Sequence, residues 1–265
     1  MRKDFVSIII SVYNGEKYIE QTLESCYNQT YDDFEVIIID DCSTDRSIEK
    51  ILKYILKKEN FKLIRNEKNY GFIKTVNKGI ELAKGNRILI LDQDDILTSK
   101  HLEIMLNEFT DNTSLVFCES DFIDFEGKIF QQNNNQEKII KKLENLKYNL
   151  SRSNFINACG LIFTKEKALK IGKYPYNEKF PNYGEWLFWL KLSSIGEIKF
   201  CNNVKSFYRR HETNMTNAFK NKDVEKILKE YYLEAMKYGK EKYYSSFTLK
   251  EKIKFYLKLY KLRKK

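Results

Sequence analysis

The sequence predicts an α/β fold in which a mixed, mainly parallel, Rossmann-like sheet is flanked by helices and followed by a C-terminal helical extension. Short apolar runs alternate with segments of helical periodicity from Val6 to Leu91, which is the βαβ rhythm of a parallel sheet. Polar clusters follow three of these runs, at the strand ends where such sheets bind ligands. Two lysine-rich helical segments close the chain.

Local apolar spacing gives the individual elements. Strands are predicted at residues 6–11, 34–40, 61–64, 87–91, 115–118, 161–164, 197–201 and 204–210. Helices are predicted between the first four strands, over 137–150, over 185–194 and in the lysine-rich C-terminal part. His101 falls inside an amphipathic helix, and we predict that it lies at the surface.

Composition limits the class of protein. At 265 residues and 42% hydrophobic content, the chain can bury one sizeable core, and no low-complexity linker or repeat divides it. No apolar run approaches the roughly 18 to 20 residues of a membrane-spanning helix, and the start lacks a signal-peptide pattern, so we expect a cytoplasmic protein. The five cysteines are odd in number and form no C-x-x-C pair, which argues against a disulfide framework and a zinc site.

The net charge of +10 is concentrated in the C-terminal tail. From Lys237 to Lys265 there are eleven Lys and Arg against two Glu, a net charge of +9, so the body is nearly neutral. We therefore expect no nucleic-acid partner. The tail from Lys250 onward interleaves cations with apolar residues, which leaves two alternatives open. It lies on an anionic membrane surface as an amphipathic helix, or its apolar stripe packs on the body.

The strongest local signal is a group of three carboxylates at the end of an apolar strand. Asp92, Asp94 and Asp95 fall within four positions directly after Leu91. Grouping this much negative charge is costly unless a cation is present, and carboxylates suit Mg²⁺ or Mn²⁺, which also bind substrate phosphates. The alternative is a set of turn and helix-capping aspartates. The pattern predicts a site for a metal and a diphosphate.

A second acidic cluster follows the second strand. Ser43, Thr44 and Asp45 are explained by an ordinary strand-to-helix turn with a polar cap. Such a turn does not explain why Asp40 and Asp41 both stand at the exit of the apolar strand. A carboxylate at this place can accept a hydrogen bond from the N–H of a nucleotide base.

Several segments in this order resemble family-two glycosyltransferases of the GT-A fold, a large bacterial family of inverting transferases. The matching segments lie at residues 6–14, 29–31, 34–41, 69–71, 77–79 and 91–95. Together they span roughly residues 5–110, and their common register makes the resemblance specific. Ser11 departs from the pattern, because the family usually has proline there.

The resemblance implies that the strand ends bind a nucleotide-sugar donor. By that resemblance, Tyr13 flanks the nucleotide base and Asp41 binds its imide N–H. Asn69, Gly71 and Asn77 belong to the matching segments and are assigned to the same donor-binding side.

The resemblance also assigns the carboxylates after Leu91. Asp92 and Asp94 form the metal-binding D-x-D motif, and Asp95 supports the site. The expected cofactor is Mn²⁺ or Mg²⁺, held against the donor diphosphate.

Residues 184–192 resemble the family's E-D-x-x-x-W-x-R-L segment. Glu185 aligns with the acidic catalytic base, and Gly184 stands where a second glutamate usually precedes it. Inverting transfer needs a base that takes the proton of the acceptor hydroxyl. The alternative for Glu185 is an acidic residue favoured by the helix dipole. Trp186 and Trp189 are candidates to stack on an acceptor sugar, with core packing as the alternative.

Residues 208–214 resemble a Y-R-x-H-x-x-N/S segment of the family. There the histidine can complete the metal shell, so His211 is assigned as a metal ligand. Arg209, or the neighbouring Arg210, is assigned to offset the charge of the leaving diphosphate.

The patterns together predict a metal-dependent, hexosyltransferase-like enzyme. It would move a sugar from a UDP- or dTDP-linked donor to a hydroxyl of a glycan or lipid-linked acceptor with inversion, as in the synthesis of bacterial surface polysaccharides such as lipopolysaccharide. Residues 1–110 form the expected donor half, 111–221 the acceptor-binding and catalytic half of the same domain, and 222–265 a basic helical extension.

Three other functions compete with this one. The single glycine after the first strand disfavours a nucleotidyltransferase, which would need a glycine-rich phosphate loop there. The absence of G-x-G-x-x-G disfavours a dehydrogenase. A non-catalytic module that binds nucleotide sugars stays open, because Gly184 departs from the catalytic segment.

Overall fold

Nine strands and ten α-helices are described over residues 4–179, 183–212, 214 and 222–264 of the computed structural model. The strands are β1 (Val6–Val12), β2 (Phe34–Asp40), β3 (Phe61–Arg65), β4 (Arg87–Ile90), β5 (Ile96–Leu97), β6 (Thr113–Ile123), β7 (Ile129–Gln131), β8 (Ile162–Thr164) and β9 (Glu197–Arg209). The helices are α1 (Ile19–Tyr27), α2 (Ser47–Ile55), α3 (Phe72–Leu82), α4 (His101–Leu106), α5 (Gln136–Leu143), α6 (Leu146–Arg152), α7 (Lys165–Lys170), α8 (Glu185–Leu192), α9 (Lys222–Tyr243) and α10 (Leu249–Lys264).

The strands form one mixed sheet in the order β3-β2-β1-β4-β8-β6-β9-β5, with β7 paired to β6. Strands β3, β2, β1 and β4 are parallel, and so are β6 and β9. β8 is antiparallel to both β4 and β6, so it joins the two parallel parts. The predicted mixed, mainly parallel sheet and its first four strands are confirmed.

Strands β1, β2 and β4 are buried on both faces, which explains their continuous apolar runs. Successive strand side chains point to opposite faces. Ile8 and Ile10 of β1 therefore belong to the core that includes Leu23 of α1, whereas Ile9 belongs to the core that includes Val76 of α3. Because helices cover both faces of the sheet, the ends of the strands, rather than the faces, are accessible to ligands.

Two predicted elements are wrong. The helix predicted over 137–150 is divided into α5 and α6, because Asn145 adopts a non-helical conformation and its side-chain amide donates to Glu251 of α10. The strands predicted at 197–201 and 204–210 are a single strand, β9, whose pairing with β6 shifts register between Phe117 and Glu119. A register shift of this kind interrupts the alternating pattern without ending the strand.

His101 is buried rather than at the surface. Its side chain is fully buried in α4, and its Nε2 lies 2.6 Å from the carbonyl oxygen of Gly160. Burial lowers the pKa of His101 to about 4, so the ring is neutral at physiological pH. The prediction was wrong because the face of α4 that carries His101 packs against β9.

The two predicted C-terminal helices are present as α9 and α10. Tyr231, Ala235 and Met236 of α9 are buried in the core that includes α8, and Phe255 and Leu259 of α10 are buried with them. No described helix has both the length and the apolar character needed to cross a membrane.

Candidate active site

The carboxyl ends of β1, β2 and β4 meet at one edge of the sheet. Val12 is in register with Asp40, and the N–H of Asp41 donates to the Val12 carbonyl at 2.7 Å. The Gln93 side chain joins the exits of β4 and β1. Its Oε1 accepts the N–H of Tyr13 at 2.9 Å, and its Nε2 donates to the Tyr13 carbonyl at 3.2 Å. The three polar clusters therefore lie together.

Asp94 and His211 are in direct contact, although 117 positions separate them in the chain. The His211 Nε2 lies 2.7 Å from the Asp94 Oδ2, and the two side chains are only 12% and 16% exposed. The ring of Tyr18 stacks on the His211 ring with centroids 4.8 Å apart. The Asn214 Oδ1 accepts the His211 N–H at 2.5 Å. These contacts fix the segment after β9 against the end of β4.

The Asp94 carboxylate and the His211 imidazole are a fitting ligand pair for a divalent ion. Within the described part of the chain, no group of three or more His, Cys, Asp or Glu side chains is gathered closely enough to hold a metal alone. Mg²⁺ usually takes one or two carboxylates together with substrate phosphates. The residues present therefore fit an ion whose coordination is completed by a diphosphate.

Asp92 and Glu185 lie close enough for their charges to interact. Burial, followed by the negative charges of Asp94 and Glu185, raises the pKa of Asp92 to about 8. Burial raises the pKa of Glu185 to about 7. A nearby cation would favour the ionised forms, and raised carboxylate pKa values are typical of functional sites. Glu185, the first residue of α8, is thus close enough to Asp92 for their charges to interact.

Asp92→Asn should stabilise the metal-free protein at alkaline pH. An acid whose pKa is raised on folding stabilises the folded state while it is neutral. In the unchanged protein, the contribution of Asp92 to the free energy of unfolding is therefore present at acidic pH and is lost as the pH rises through about 8. We expect the variant to gain on the order of 1 to 3 kcal/mol in free energy of unfolding near pH 9, and much less near pH 5. Chemical denaturation in the presence of a chelator at the two pH values measures the gain.

The matched control for this measurement is Asp111→Asn. Asp111 is exposed in the turn before β6, so its neutralisation should give no gain that depends on pH. An Asp92→Asn variant with the same stability difference at both pH values would contradict the assignment of a costly buried charge.

Asp95 and Arg209 position the segment after β4. The buried Asp95 accepts the backbone N–H of Arg209 through its Oδ1 at 3.0 Å. The Arg209 side chain is fully buried, and its Nε donates to the Asp94 carbonyl at 2.8 Å. Its Nη1 donates to the Asp124 carbonyl at 2.6 Å and its Nη2 to the Gln21 Oε1 at 2.5 Å. In this structure Arg209 is therefore a positioning residue, because its donors are directed to protein oxygens.

Asp41 holds the loop that leads into α3. Its Oδ1 accepts the side-chain amide of Asn66 at 2.8 Å and the N–H of Tyr70 at 2.9 Å, and its Oδ2 accepts the N–H of Gly71 at 2.8 Å. A carboxylate has about four acceptor positions, so one position of the Oδ2 is left for a ligand. Gly71 has φ 82°, a conformation that favours glycine, and Asn69 accepts its N–H at 3.0 Å.

Asp41→Ala should weaken both the fold and the binding of nucleotide. The substitution removes the Asp41 acceptor of the Tyr70 N–H and leaves the Gly71 N–H with Asn69 as its remaining partner, so we expect a loss of about 1–3 kcal/mol in free energy of unfolding. The matched variant Asn69→Ala removes only the exposed partner of Gly71 and should cost well under half as much. Urea unfolding and titration with UDP measure the two effects. Equal losses in both variants would contradict the role of Asp41.

Asn77 and Tyr13 occupy different positions relative to the strand ends. The side chain of Asn77 donates to the Tyr174 carbonyl at 2.8 Å and accepts the Tyr174 N–H at 3.0 Å, so it connects α3 to the chain before α8. Tyr13 is 49% exposed next to β1, and its ring is open to a ligand. Of these two residues, the structure leaves only Tyr13 free to contact a nucleotide base directly.

Gly184 and the two tryptophans determine how α8 packs against the rest of the protein. A Cβ atom at Gly184 would lie 2.7 Å from the Pro175 carbonyl oxygen, so the glutamate usual in the family does not fit at this position. Trp186 is buried, and its Nε1 donates to the Leu150 carbonyl at 2.7 Å. Trp189 is fully buried. Core packing, the alternative to sugar stacking, therefore accounts for both tryptophans.

Sequence reasoning missed four residues that build the site. Tyr18 and Gln21 contact His211 and Arg209, Gln93 joins two strand ends, and Asn66 binds Asp41. Tyr18 and Gln21 carry a usable signal, because a spacing of three residues at the start of a helix places both side chains on one face.

Comparison with known proteins gives the family. The model for glycosyl transferase family 2 matches residues 7–169, more than half of the chain. An uncharacterized glycosyltransferase of Haemophilus influenzae is 34% identical over 224 residues, which cover 83% of this chain and 85% of that protein.

Two solved structures share the fold. S. aureus TarS 1–349 in complex with UDP-GlcNAc superposes with a TM-score of 0.68 at 20% identity, covering 97% of this chain and 80% of that chain. Mannosyltransferase PcManGT from Pyrobaculum calidifontis, in complex with GDP-Man and Mn²⁺, superposes with a TM-score of 0.63 at 14% identity, covering 95% and 78%. The predicted GT-A fold with a C-terminal helical extension is confirmed. Since the family model covers more than half of its length, the chain belongs to glycosyl transferase family 2.

Proposed function

We propose that this glycosyltransferase moves a sugar from a UDP- or dTDP-linked donor to a hydroxyl group of a glycan or lipid-linked acceptor with inversion, as in the synthesis of bacterial surface polysaccharides. The observation that carries the proposal is the interaction between the charges of Glu185 and Asp92, the first residue of the D-x-D motif. The negative charge of Glu185 helps to raise the pKa of Asp92, so a potential base stands beside the potential diphosphate site.

Asp94 and His211, with Asp92 beside them, are the residues that would hold Mn²⁺ or Mg²⁺. When bound, the ion supplies charge neutralisation for the donor diphosphate as it leaves. The contact between Asp94 Oδ2 and His211 Nε2 supports this role, because both atoms are ligand types that such ions accept. The solved neighbours that contain UDP-GlcNAc, or GDP-Man with Mn²⁺, are consistent with it.

The nucleotide is proposed to bind between the exits of β1 and β2. The exposed ring of Tyr13 is suited to lie against the base, and the free acceptor position of Asp41 is suited to its imide N–H. Asn69 and Gly71 shape this pocket through the loop that Asp41 holds. Asp95, Arg209 and Asn77 contribute by positioning these segments.

Glu185 is proposed to be the catalytic base of a single displacement. Its carboxylate takes the proton of the acceptor hydroxyl, the hydroxyl oxygen attacks the anomeric carbon, and the bond to the nucleoside diphosphate breaks on the opposite side, which inverts the anomeric configuration. A pKa of about 7 suits a group that must be ionised, yet basic, near neutral pH.

The proposed organisation assigns one role to each part of the chain. Residues 1–110 bind the donor, 111–221 bind the acceptor and carry the base, and 222–265 form a basic extension. Because β8, β6 and β9 continue the sheet from β4, the first two parts share one sheet. We propose that the enzyme works in the cytoplasm, at the inner face of a membrane, where a lipid-linked acceptor would be available.

A donor-panel assay tests the function. The purified chain is incubated with UDP-, dTDP- and GDP-linked sugars in the presence of Mn²⁺ or Mg²⁺, and release of the nucleoside diphosphate is measured with and without acceptor glycans. We expect release with at least one donor and its loss in excess chelator. Binding of a donor without release in every combination would support the non-catalytic module, and release of pyrophosphate would support a nucleotidyltransferase.

A further inference from the structure

Helix α10 has an exposed apolar surface, which we name the outer stripe. Its members recur at spacings of four, three, one and three residues, which places them along one side of the helix. The outer stripe consists of Leu249, Ile253, Tyr256, Leu257 and Tyr260, which are 76%, 54%, 44%, 56% and 55% exposed. An exposed apolar surface of this kind marks a site of interaction with another body.

A different face of α10 attaches the helix to the protein. Phe255 is fully buried, and its ring contacts Phe247 and Tyr244. At the start of the helix, Thr248 and Glu251 form reciprocal hydrogen bonds, with the Thr248 N–H donating to Glu251 at 2.8 Å and the Glu251 N–H donating to Thr248 at 3.3 Å. Packing uses mainly the inner face, so each residue of the outer stripe is at least 44% exposed, although the Tyr256 ring also lies 5.6 Å from the Tyr244 ring.

Cations border the outer stripe on both sides. At 100° per residue, Lys250, Lys254 and Lys261 fall along one border, and Lys252 and Arg263 fall along the other. Glu251 is the only acidic residue of α10, and it lies on the packed side with Asn145 and Thr248. The exposed side of the helix is therefore apolar in the middle and positive at its edges.

A groove of about 1000 Å³ between α8, α9 and α10 extends this positive surface. It adjoins the outer stripe, because the Lys240 ammonium lies 5.0 Å from the ring centre of Tyr256. Cations outnumber anions in its lining. The charged lining residues are Lys191, Lys237, Lys240 and Arg263 on the positive side and Glu234 and Glu241 on the negative side.

We propose that the outer stripe is a docking surface for an anionic phospholipid bilayer, with its apolar side chains inserted between head groups and its cations paired with lipid phosphates. Interfacial helices have this arrangement, because long cationic side chains reach the phosphates while apolar residues lie deeper. Protein interfaces, in contrast, are depleted of lysine around their apolar centre. The inference deepens the proposed function, on which it rests for the membrane as the place of work.

The docking surface is connected to the catalytic helix by direct contacts. The Tyr231 hydroxyl of α9 accepts the N–H of Leu187 in α8 at 3.2 Å, and the Trp186 and Tyr231 rings are in contact. On the other side of α9, Lys240 lies beside Tyr256 of α10. A bilayer held by α10 is therefore one helix removed from α8, which carries Glu185.

The test uses the full-length chain and vesicles sedimented from solution. Vesicles of phosphatidylcholine with about one third phosphatidylglycerol should bind the protein at low salt, and binding should fall at least about tenfold between roughly 0.05 and 0.5 M NaCl. Ile253→Ser with Leu257→Ser should weaken binding about tenfold or more while leaving the charge unchanged. Lys254→Glu with Lys261→Glu should weaken it similarly.

The control variant changes two apolar residues of similar exposure elsewhere, Leu82→Ser with Leu169→Ser, and should bind as the unchanged protein does. All variants should retain nucleoside-diphosphate release in the donor assay, so a failure of docking is distinguishable from a failure of the proposed function. Equal binding to vesicles without phosphatidylglycerol, or no binding by the full-length chain, would overturn the proposal. Self-association that Ile253→Ser with Leu257→Ser abolishes would identify a second copy as the occupant instead.

Discussion

Asp94→Asn should abolish the metal-dependent part of donor binding. The Asp94 carboxylate lies 2.7 Å from the His211 imidazole, and its negative charge helps to raise the pKa of Asp92. It is therefore the carboxylate that is close to both of the other predicted ligands of the ion. Asparagine keeps the shape but loses the negative charge that a divalent cation requires. We expect the affinity for a UDP-sugar in the presence of Mn²⁺ to fall to that of the unchanged protein in excess chelator, as measured by calorimetric titration.

Two comparisons make this result specific. Asp111→Asn removes a carboxylate from the exposed turn before β6 and should leave the affinity unchanged. His211→Ala should give a smaller loss than Asp94→Asn, because it removes a neutral ligand. Donor affinity that Asp94→Asn leaves intact, in a variant that still unfolds cooperatively, would remove the basis for a metal at this place.

Glu185→Gln should lower kcat by about 10²- to 10⁴-fold, which is the usual range for the loss of a general base. Glutamine has the same size, but it cannot accept the proton of the acceptor hydroxyl. The donor affinity should stay within about twofold, because Glu185 is assigned no contact with the nucleotide. Steady-state kinetics with saturating acceptor and a separate donor titration measure the two quantities.

The matched control for Glu185→Gln is Glu166→Gln. Glu166 also lies in the first turn of a helix, α7, so its substitution removes an equivalent interaction with a helix dipole. Near-normal turnover in both variants would contradict the role of Glu185 as the base. Its interaction with the helix dipole would then be the explanation for an acidic residue at this position. The anomeric configuration of the product, observed by NMR, is an independent check, since retention would rule out a single displacement.

The fold and the location of the site could be predicted because they follow from local patterns. Apolar runs that end in Asp40 and Asp92 must be buried strands, and parallel strands bring their carboxyl ends to the same edge. The contact between Asp94 and His211 required the resemblance to a family, because nothing in the local spacing relates residues 117 positions apart.

The details that could not be predicted depend on which neighbour each side chain meets. Arginine is a residue type that often binds phosphate, yet in the folded chain the Arg209 guanidinium donates hydrogen bonds to carbonyl oxygens. Asn77 lies in a matching motif, but its partner is the backbone of Tyr174. His101 has the spacing of a surface residue and is buried because α4 packs on β9. Tertiary partners of this kind leave no trace in local periodicity.

The bonds from Arg209 to Asp94 and Asp95 have a consequence for the order in which the protein is built. They join residues 115 and 114 positions apart, so the loop that carries the D-x-D residues acquires its final shape only after β9 has been synthesised and has paired. Contacts between such distant residues form slowly, because the intervening chain must first be brought together. A nascent chain that ends before β9 contains the D-x-D motif and lacks Arg209, whose bonds hold the loop after β4. The loop after β4 therefore gains the bonds to Arg209 only when β9 has been made.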